Sequence, residues 1–238
     1  MKIPQALFRY RDGLIVAILL LGFWAPLDRM GGQHPSSTWL VLSGLLAQHH
    51  LLPIEDASIA VMALATLLAL AAAILRTWGA AYLGSGVAKA TALHGERIVA
   101  DGPYCYMRNP LYLGVELHVL ALTILMPPGG AVFVLVAIPL LLAVLIHAEE
   151  QYLAAEKGEV YRAYLRQVPR ILPKVFPRIA SGGASPRWGQ ALLGEIYMWG
   201  VALTYAALGY RYNALLLAQG VVIFYGVSLV VRAFSPKP

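Results

Sequence analysis

"ASIAVMALATLLALAAAIL", residues 57–75, runs for 19 residues without a charge. As an α-helix it is about 28 Å long, which matches the roughly 30 Å hydrocarbon core of a bilayer. Only a helix lets such a run satisfy its own backbone there. Working outward, the same pattern repeats. Apolar blocks occupy residues 13–27, 111–126, 131–146, 191–210 and 214–231. The 238-residue chain is 59% hydrophobic and 13% charged, against about 45–50% and about 25% for soluble domains. The expected fold is all-α: a multi-pass transmembrane helical bundle of about six spans in a single domain. Blocks 57–75, 191–210 and 214–231 are long enough alone; the others take in flanking residues such as Phe8 and Tyr10. Residues 38–52 form a short apolar run ending in His49 and His50, expected as an interfacial or re-entrant helix.

The N-terminus, with Lys2, Arg9 and Arg11 ahead of an apolar stretch, has the outline of a signal peptide. Phe23, Trp24 and Pro26 stand where a small-x-small cleavage site belongs, which favours an uncleaved first span. With six spans, 16 of the 18 Lys and Arg residues share one side; Arg29 and Arg211 take the other. If residues 38–52 also crossed, the division would be 14 to 4. Positive residues stay cytosolic, so both termini and both long polar segments are expected in the cytosol. The net charge of +6 then points to an anionic leaflet rather than to nucleic acid. Arg-over-Lys usage and the Ala-Leu bias suggest a bacterial inner membrane. Cys105 is the sole cysteine, so an intrachain disulfide or thiolate metal cluster is excluded; it reads as a small filler beside Tyr104 rather than as a nucleophile.

Two polar segments interrupt the apolar blocks. The first, residues 76–110, opens as a helix extension with Arg76, Trp78 and Tyr82 and is expected to loosen at Gly84-Ser85-Gly86. "GSGVAK" (84–89) carries Lys89 where a dinucleotide loop needs its third glycine, and no strand precedes it. The segment ends in "DGPYCYMRNPLYLG" (101–114). Gly102-Pro103 makes a turn. Pro110 biases Asn109 toward an extended backbone and suits the first position of a helix. A stiff irregular loop thus feeds a helix N-terminus, whose free N–H groups and partial positive charge suit an anionic ligand group beside Arg108. The stretch reads either as the wall of a polar pocket or as an ordinary turn with interfacial Tyr and Arg anchors.

The second segment, residues 149–173, begins with Glu149 and Glu150. Tyr161, Tyr164, Leu165 and Val168 then lie on one helix face, flanked by Arg162 and Arg166. It is read as an amphipathic helix on lipid, as a lid over the pocket, or as both. Adjacent carboxylates near a bilayer need partners, and a cationic ligand is one. Glu116 and His118 lie inside the helix that Pro110 starts; Glu116 is either functional or snorkelling. His147-x-Glu149 is too sparse a set for a metal, and no metal site is expected.

The two segments together resemble the isoprenylcysteine carboxyl methyltransferase family and its relatives the phospholipid methyltransferases, integral membrane enzymes that use S-adenosylmethionine. "GPYCYMRNPLYLG" looks like the family's first signature. The second is matched by Glu149, Glu150, Leu153, Gly158, Tyr161, Tyr164, Pro169, Arg170 and Pro173. An apolar hairpin, 111–126 and 131–146, stands between them. The resemblance implies a methyltransferase core over about residues 57–173, with signature segments 76–114 and 149–173. A C-terminal two-helix hairpin, 191–232, lies outside it and is expected to serve substrate-channel or oligomer packing. The resemblance further implies that S-adenosylmethionine is held by Glu96, Arg97, Ile98, Val99, Tyr104, Asn109, Pro110, Leu111, Tyr112 and Glu149. Arg108, Glu149, Glu150 and Arg170 are the expected catalytic group. The implied reaction moves a methyl group to a lipid-like or prenylated acceptor, at a carboxylate oxygen or an amine nitrogen, on the cytosolic face.

Three positions depart from the pattern. Asn109 replaces a frequent histidine, Glu96 stands where the prenylcysteine enzymes have a histidine, and Leu145 where they have a substrate-contacting arginine. The last weakens the case for a prenylcysteine carboxylate as acceptor. Two other functions compete: an NADPH-dependent membrane reductase of the steroid or sterol type, and a non-catalytic membrane scaffold. Against the reductase, Glu149 and Glu150 would repel phosphates.

Overall fold

The computed structural model describes residues 3–24, 36–87 and 101–234. Among these are nine α-helices: α1 (Ile3–Trp24), α2 (Thr38–Gln48), α3 (Ile54–Val87), α4 (Pro110–Thr123), α5 (Pro128–Lys157), α6 (Glu159–Gln167), α7 (Trp188–Gly194), α8 (Ile196–Leu208) and α9 (Ala214–Phe234). Short 3-10 turns lie at Gly102–Cys105 and Gly209–Arg211, and no strand occurs among the described residues. The expected all-helical fold is therefore found.

The number of spans differs from the six expected. By length and composition, three helices among the described residues are fit to cross a membrane: Ile54–Leu83 within α3, all of α5, and α9. A fourth is available if α7 and residues 196–211, bent by 67° at Glu195, count as one span. α1 is 22 residues long but carries Arg9, Arg11 and Asp12. α4, at 14 residues, is about 21 Å long, short of the hydrocarbon thickness. The block at 131–146 proves to be the middle of a 30-residue helix. Roughly 20 residues fill the membrane core, so with Pro128 at one face, Glu149 and Glu150 emerge at the other. α3 likewise continues helically through Gly84-Ser85-Gly86 to Val87, where loosening was expected.

α2 is the short non-spanning helix foreseen for residues 38–52. It has 11 residues, about 16 Å. Ser37 caps it, and Thr38 and Trp39 donate their backbone N–H groups to Met126 O and Ile124 O at 2.8 and 2.9 Å. It thereby closes the carbonyl end of α4.

The core follows membrane rather than aqueous logic. On α3, Ala57, Ala65, Ala69, Ala72 and Ala73 are buried, whereas Leu64 and Leu67 are 59% and 63% exposed. Lipid tails are as apolar as leucine, so helices associate by close packing of small residues, and large side chains turn outward. Ala65 and Ala69 belong to one buried cluster with Val119 and Leu122 of α4, Val134, Ile138, Leu142 and Leu145 of α5, and Val201, Tyr205 and Leu217 of the C-terminal hairpin; α4 and α8 are among the helices that lie directly against α3. Tyr205 OH donates to Ala121 O at 2.9 Å, tying the hairpin to α4. The hairpin is thus packed into the core.

Candidate active site

α4 and α5 bring the two signature segments together. Neighbouring residues on a helix project about 100° apart, so Glu149 and Glu150 point to different sides of α5. Each meets its own partners.

Glu150 is buried, with 7% of its side chain exposed. Its Oε2 accepts from Arg170 Nη2 at 2.7 Å, and its Oε1 lies 3.1 Å from Arg108 Nε and 3.4 Å from Asn109 Nδ2. The Arg108 Nε contact is ionic rather than an aligned hydrogen bond. Arg108 Nη1 donates to Leu165 O at 2.6 Å, and Arg108 N donates to Pro169 O at 2.9 Å. Asn109 Nδ2 also donates to Arg170 O at 2.9 Å. One carboxylate therefore knits the start of α4, the end of α6 and the 169–170 turn. A buried carboxylate needs such a complement, since taking it out of water unpaired is strongly unfavourable.

Glu149 is half-buried and projects from a different side of α5. Its Oε2 accepts from Tyr112 OH at 3.0 Å. Arg11, from α1, hydrogen-bonds Tyr112 and acts through its charge on Glu149. Tyr104 adjoins this pair. It is 7% exposed, and its hydroxyl has no hydrogen-bond partner among the described residues. Burial, with Tyr164 and Glu149 nearby, keeps that hydroxyl protonated. Orphaned buried hydroxyls are rare. Here it marks a polar place that a ligand can complete, bordered by two tyrosines and a carboxylate.

The 101–109 loop is held from both sides. Gly102 has φ of +57°, and a Cβ there would overlap the Tyr82 ring. Tyr164 OH donates to Tyr104 O at 2.9 Å, so the Tyr161–Tyr164–Val168 stripe of α6 packs over the loop and only the arginine face is exposed. The second segment therefore covers the 101–109 loop. Gly158, at φ +62°, makes the break between α5 and α6 that lets α6 turn back. Asp101 accepts from Ser181 Oγ, from Gly183 N at 2.9 Å and from Ala184 N at 3.3 Å. Burial raises its carboxyl pKa, but these hydrogen bonds outweigh burial and hold it below the ordinary value. Burial pushes the Cys105 thiol up, which disfavours the thiolate and fits the filler role.

Further residues joined the site without being foreseen there. Arg76 makes a bidentate pair with Glu195: Nε to Oε2 at 2.6 Å and Nη2 to Oε1 at 2.8 Å. Its Nη1 donates to Leu111 O at 3.3 Å, in the first turn of α4. A Cβ at Gly114 would overlap the Arg76 side chain, so a glycine there lets the arginine through. The sequence reads Arg76 as part of a helix extension and gives Glu195 no role. An ionisable residue inside an apolar block is the one sequence signal that could have paired them. Arg11 had been counted only as a topology charge. His118 lies elsewhere, with Nε2 3.0 Å from Tyr197 OH on α8, and Glu116 is half-buried. His147 pairs with Gln151 at 2.9 Å. Glu96, Arg97, Ile98 and Val99 lie outside the described residues, as does Lys89.

The fold and the cluster define a helical membrane protein with an ionic and aromatic site where α3, α4 and α5 reach the end of their apolar stretches. Residues 61–155 match the model of the isoprenylcysteine carboxyl methyltransferase (ICMT) family, a match that takes in most of α3, the 101–109 loop, α4 and most of α5. The family is one of membrane methyltransferases, which in general use S-adenosylmethionine. No curated protein and no solved structure matches the chain.

Proposed function

We propose that the chain is an S-adenosylmethionine-dependent methyltransferase acting on a lipid-like or prenylated acceptor at the cytosolic face of the membrane. The observation that carries this reading is the unpartnered Tyr104 hydroxyl beside the Tyr112–Glu149 pair, within the span of the family match. The donor set fits the cofactor. Its sulfonium is a cation, and a cation over a tyrosine face gains about 0.5–2 kcal/mol. Glu149 suits its ammonium group. When bound, the cofactor supplies an electrophilic methyl group. Arg108, the partner expected for its carboxylate, is engaged by Glu150 and Leu165 O. The anion is better served by the α4 N-terminus, which has no side-chain cap, and by Arg11.

The protein's own task is then positioning. Leu111 and Tyr112 are held by Arg76 and Glu149, Tyr104 by α6, and Asn109 by Glu150 and Arg170 O. Alignment within about 3–3.5 Å in a dry site supplies much of the acceleration in an in-line displacement. Of the two acids, Glu150 has both oxygens occupied by arginines, so Glu149 is the one left to take a proton from an amine acceptor. A carboxylate acceptor requires no base. The gathering of Arg11, Arg76, Arg108 and Arg170 at one end of the bundle supports a cytosolic site.

The test is transfer of a labelled methyl group from S-adenosylmethionine into solvent-extractable lipid by purified protein in membranes, followed across pH. A rate flat from about pH 6 to 9, well above an ordinary carboxyl pKa, identifies a carboxylate acceptor; a titrating rate lost in Glu149→Gln identifies an amine. Absence of transfer to every lipid extract, with NADPH-dependent reduction of an enone lipid instead, contradicts the proposal.

A further inference from the structure

Between residues 160 and 194 the sequence holds no acid and six bases: Arg162, Arg166, Arg170, Lys174, Arg178 and Arg187. The first five recur at every fourth position. Through the 171–178 stretch, "ILPKVFPR", large apolar residues fill the gaps. Leu172 is 74% exposed, Val175 85% and Phe176 76%. Lys174 and Arg178 are exposed as well, and neither takes part in an ion pair among the described residues.

This loop is held in place. Lys174 N donates to Tyr106 O at 3.2 Å, and Arg178 N donates to Cys105 O at 2.9 Å. Ile179 packs back onto the Tyr161–Tyr164–Val168 cluster. Pro173 and Pro177 fix their own φ angles. One edge of the loop is thus tied to the 101–109 segment, and the other presents the apolar triad with its bases. The loop also sits close to a span. The Tyr106 ring packs on Trp78 with centroids 5.9 Å apart, and Trp78 belongs to the Ile54–Leu83 membrane-crossing stretch.

We infer that the 171–178 loop is a docking surface for the anionic leaflet of the membrane that the helices cross, with Leu172, Val175 and Phe176 among the acyl chains and Lys174 and Arg178 on lipid phosphates. Apolar side chains interleaved with bases are the pattern of interfacial insertion. The absence of acids across the segment fixes the sign of the partner, and bases near a leaflet of anionic lipid are attracted to it. The inference stands apart from the methyl acceptor's identity. It does bear on the site, because Arg170 at the start of the loop holds Glu150, and Pro169 O takes Arg108 N.

The experiment places a nitroxide at residue 176, using Phe176→Cys with Cys105→Ala to remove the buried native thiol. The full chain is reconstituted in nanodiscs of phosphatidylglycerol with phosphatidylcholine, and in phosphatidylcholine alone. Collision with oxygen is compared with collision with a water-soluble nickel complex. The expected result in anionic discs is oxygen access exceeding nickel access, at a depth of roughly 5–10 Å below the headgroups, with a shallower label after Lys174→Glu and Arg178→Glu. Greater nickel than oxygen access in both disc types places the loop in water and overturns the inference. So does a label shielded from both reagents, which means a protein covers the loop. Depth indifferent to lipid charge and to both substitutions overturns the anionic assignment.

Discussion

Glu195→Ala removes one partner of the buried pair that joins the C-terminal hairpin to α3 and α4. The side chains of Arg76 and Glu195 are 18% and 9% exposed, so solvent screens the pair poorly. Arg76 would keep its single hydrogen bond to Leu111 O while losing both carboxylate oxygens. Breaking a buried ion pair from one side costs about 3–5 kcal/mol, because the other charge is left without a counter-ion. For a chain of 150–250 residues, 1 kcal/mol moves Tm by roughly 2–4 °C, so the expected drop is about 6–20 °C. The assay is thermal unfolding in detergent, at a fixed scan rate, of the native chain, Glu195→Ala, Glu195→Gln and the double variant Arg76→Met/Glu195→Leu. Glu195→Gln should lose less than Glu195→Ala because its amide oxygen still accepts from the guanidinium. The double variant should recover most of the loss, since replacing both charges by apolar groups is often neutral. A Glu195→Ala transition within about 2 °C of the native one, or a double variant less stable than either single change, would refute the claim that this pair fastens the hairpin.

The other expectations concern the two carboxylates and the strap. Glu149→Gln should weaken S-adenosylhomocysteine binding by about tenfold or more, the 1.4 kcal/mol or so of one charge-assisted hydrogen bond, with little change in Tm; Tyr112→Phe should have a smaller effect, and titration calorimetry reads both. Arg108→Ala should destabilise more than Arg170→Ala, because Arg108 has 10% of its side chain exposed against 52% for Arg170, and comparison of Tm decides it. Asp101 gives a pH dependence of known sign. Its folded pKa lies below its unfolded value, so its contribution is present above about pH 4 and is lost as pH falls through the folded pKa. Amide exchange at Gly183 and Ala184 should therefore accelerate at the acid end, and Asp101→Asn should show the fast exchange already at neutral pH.

The lipid-facing character of the chain was legible because apolar run length is a direct readout of bilayer thickness. The number of spans was harder to read. Residues 111–126 look like a span by composition, yet Asn109-Pro110 and the α2 contact at Ile124 and Met126 bound a helix of 14 residues. The meeting of Arg108–Tyr112 with Glu149–Glu150 was readable from the two signatures and the short hairpin between them. The separation of the two acids follows from helix geometry alone, but which partner each takes does not. Arg108, expected on a ligand carboxylate, lies against Glu150, because a buried acid so close to the start of α4 requires a cation. Arg76–Glu195 and Arg11–Tyr112 join residues about a hundred positions apart, with no periodicity to announce them. The Asp101–Ser181 strap runs through a polar segment whose backbone bonds leave no pattern in the sequence.

The central claim is that Glu149, Tyr112 and Tyr104 line the binding site of S-adenosylmethionine, and calorimetric titration of the detergent-solubilised full chain with its demethylated form, S-adenosylhomocysteine, with NADPH in parallel, tests it most directly. Saturable binding of S-adenosylhomocysteine that Glu149→Ala weakens and Cys105→Ala leaves intact is the predicted result. Binding of NADPH with no heat from S-adenosylhomocysteine would contradict it.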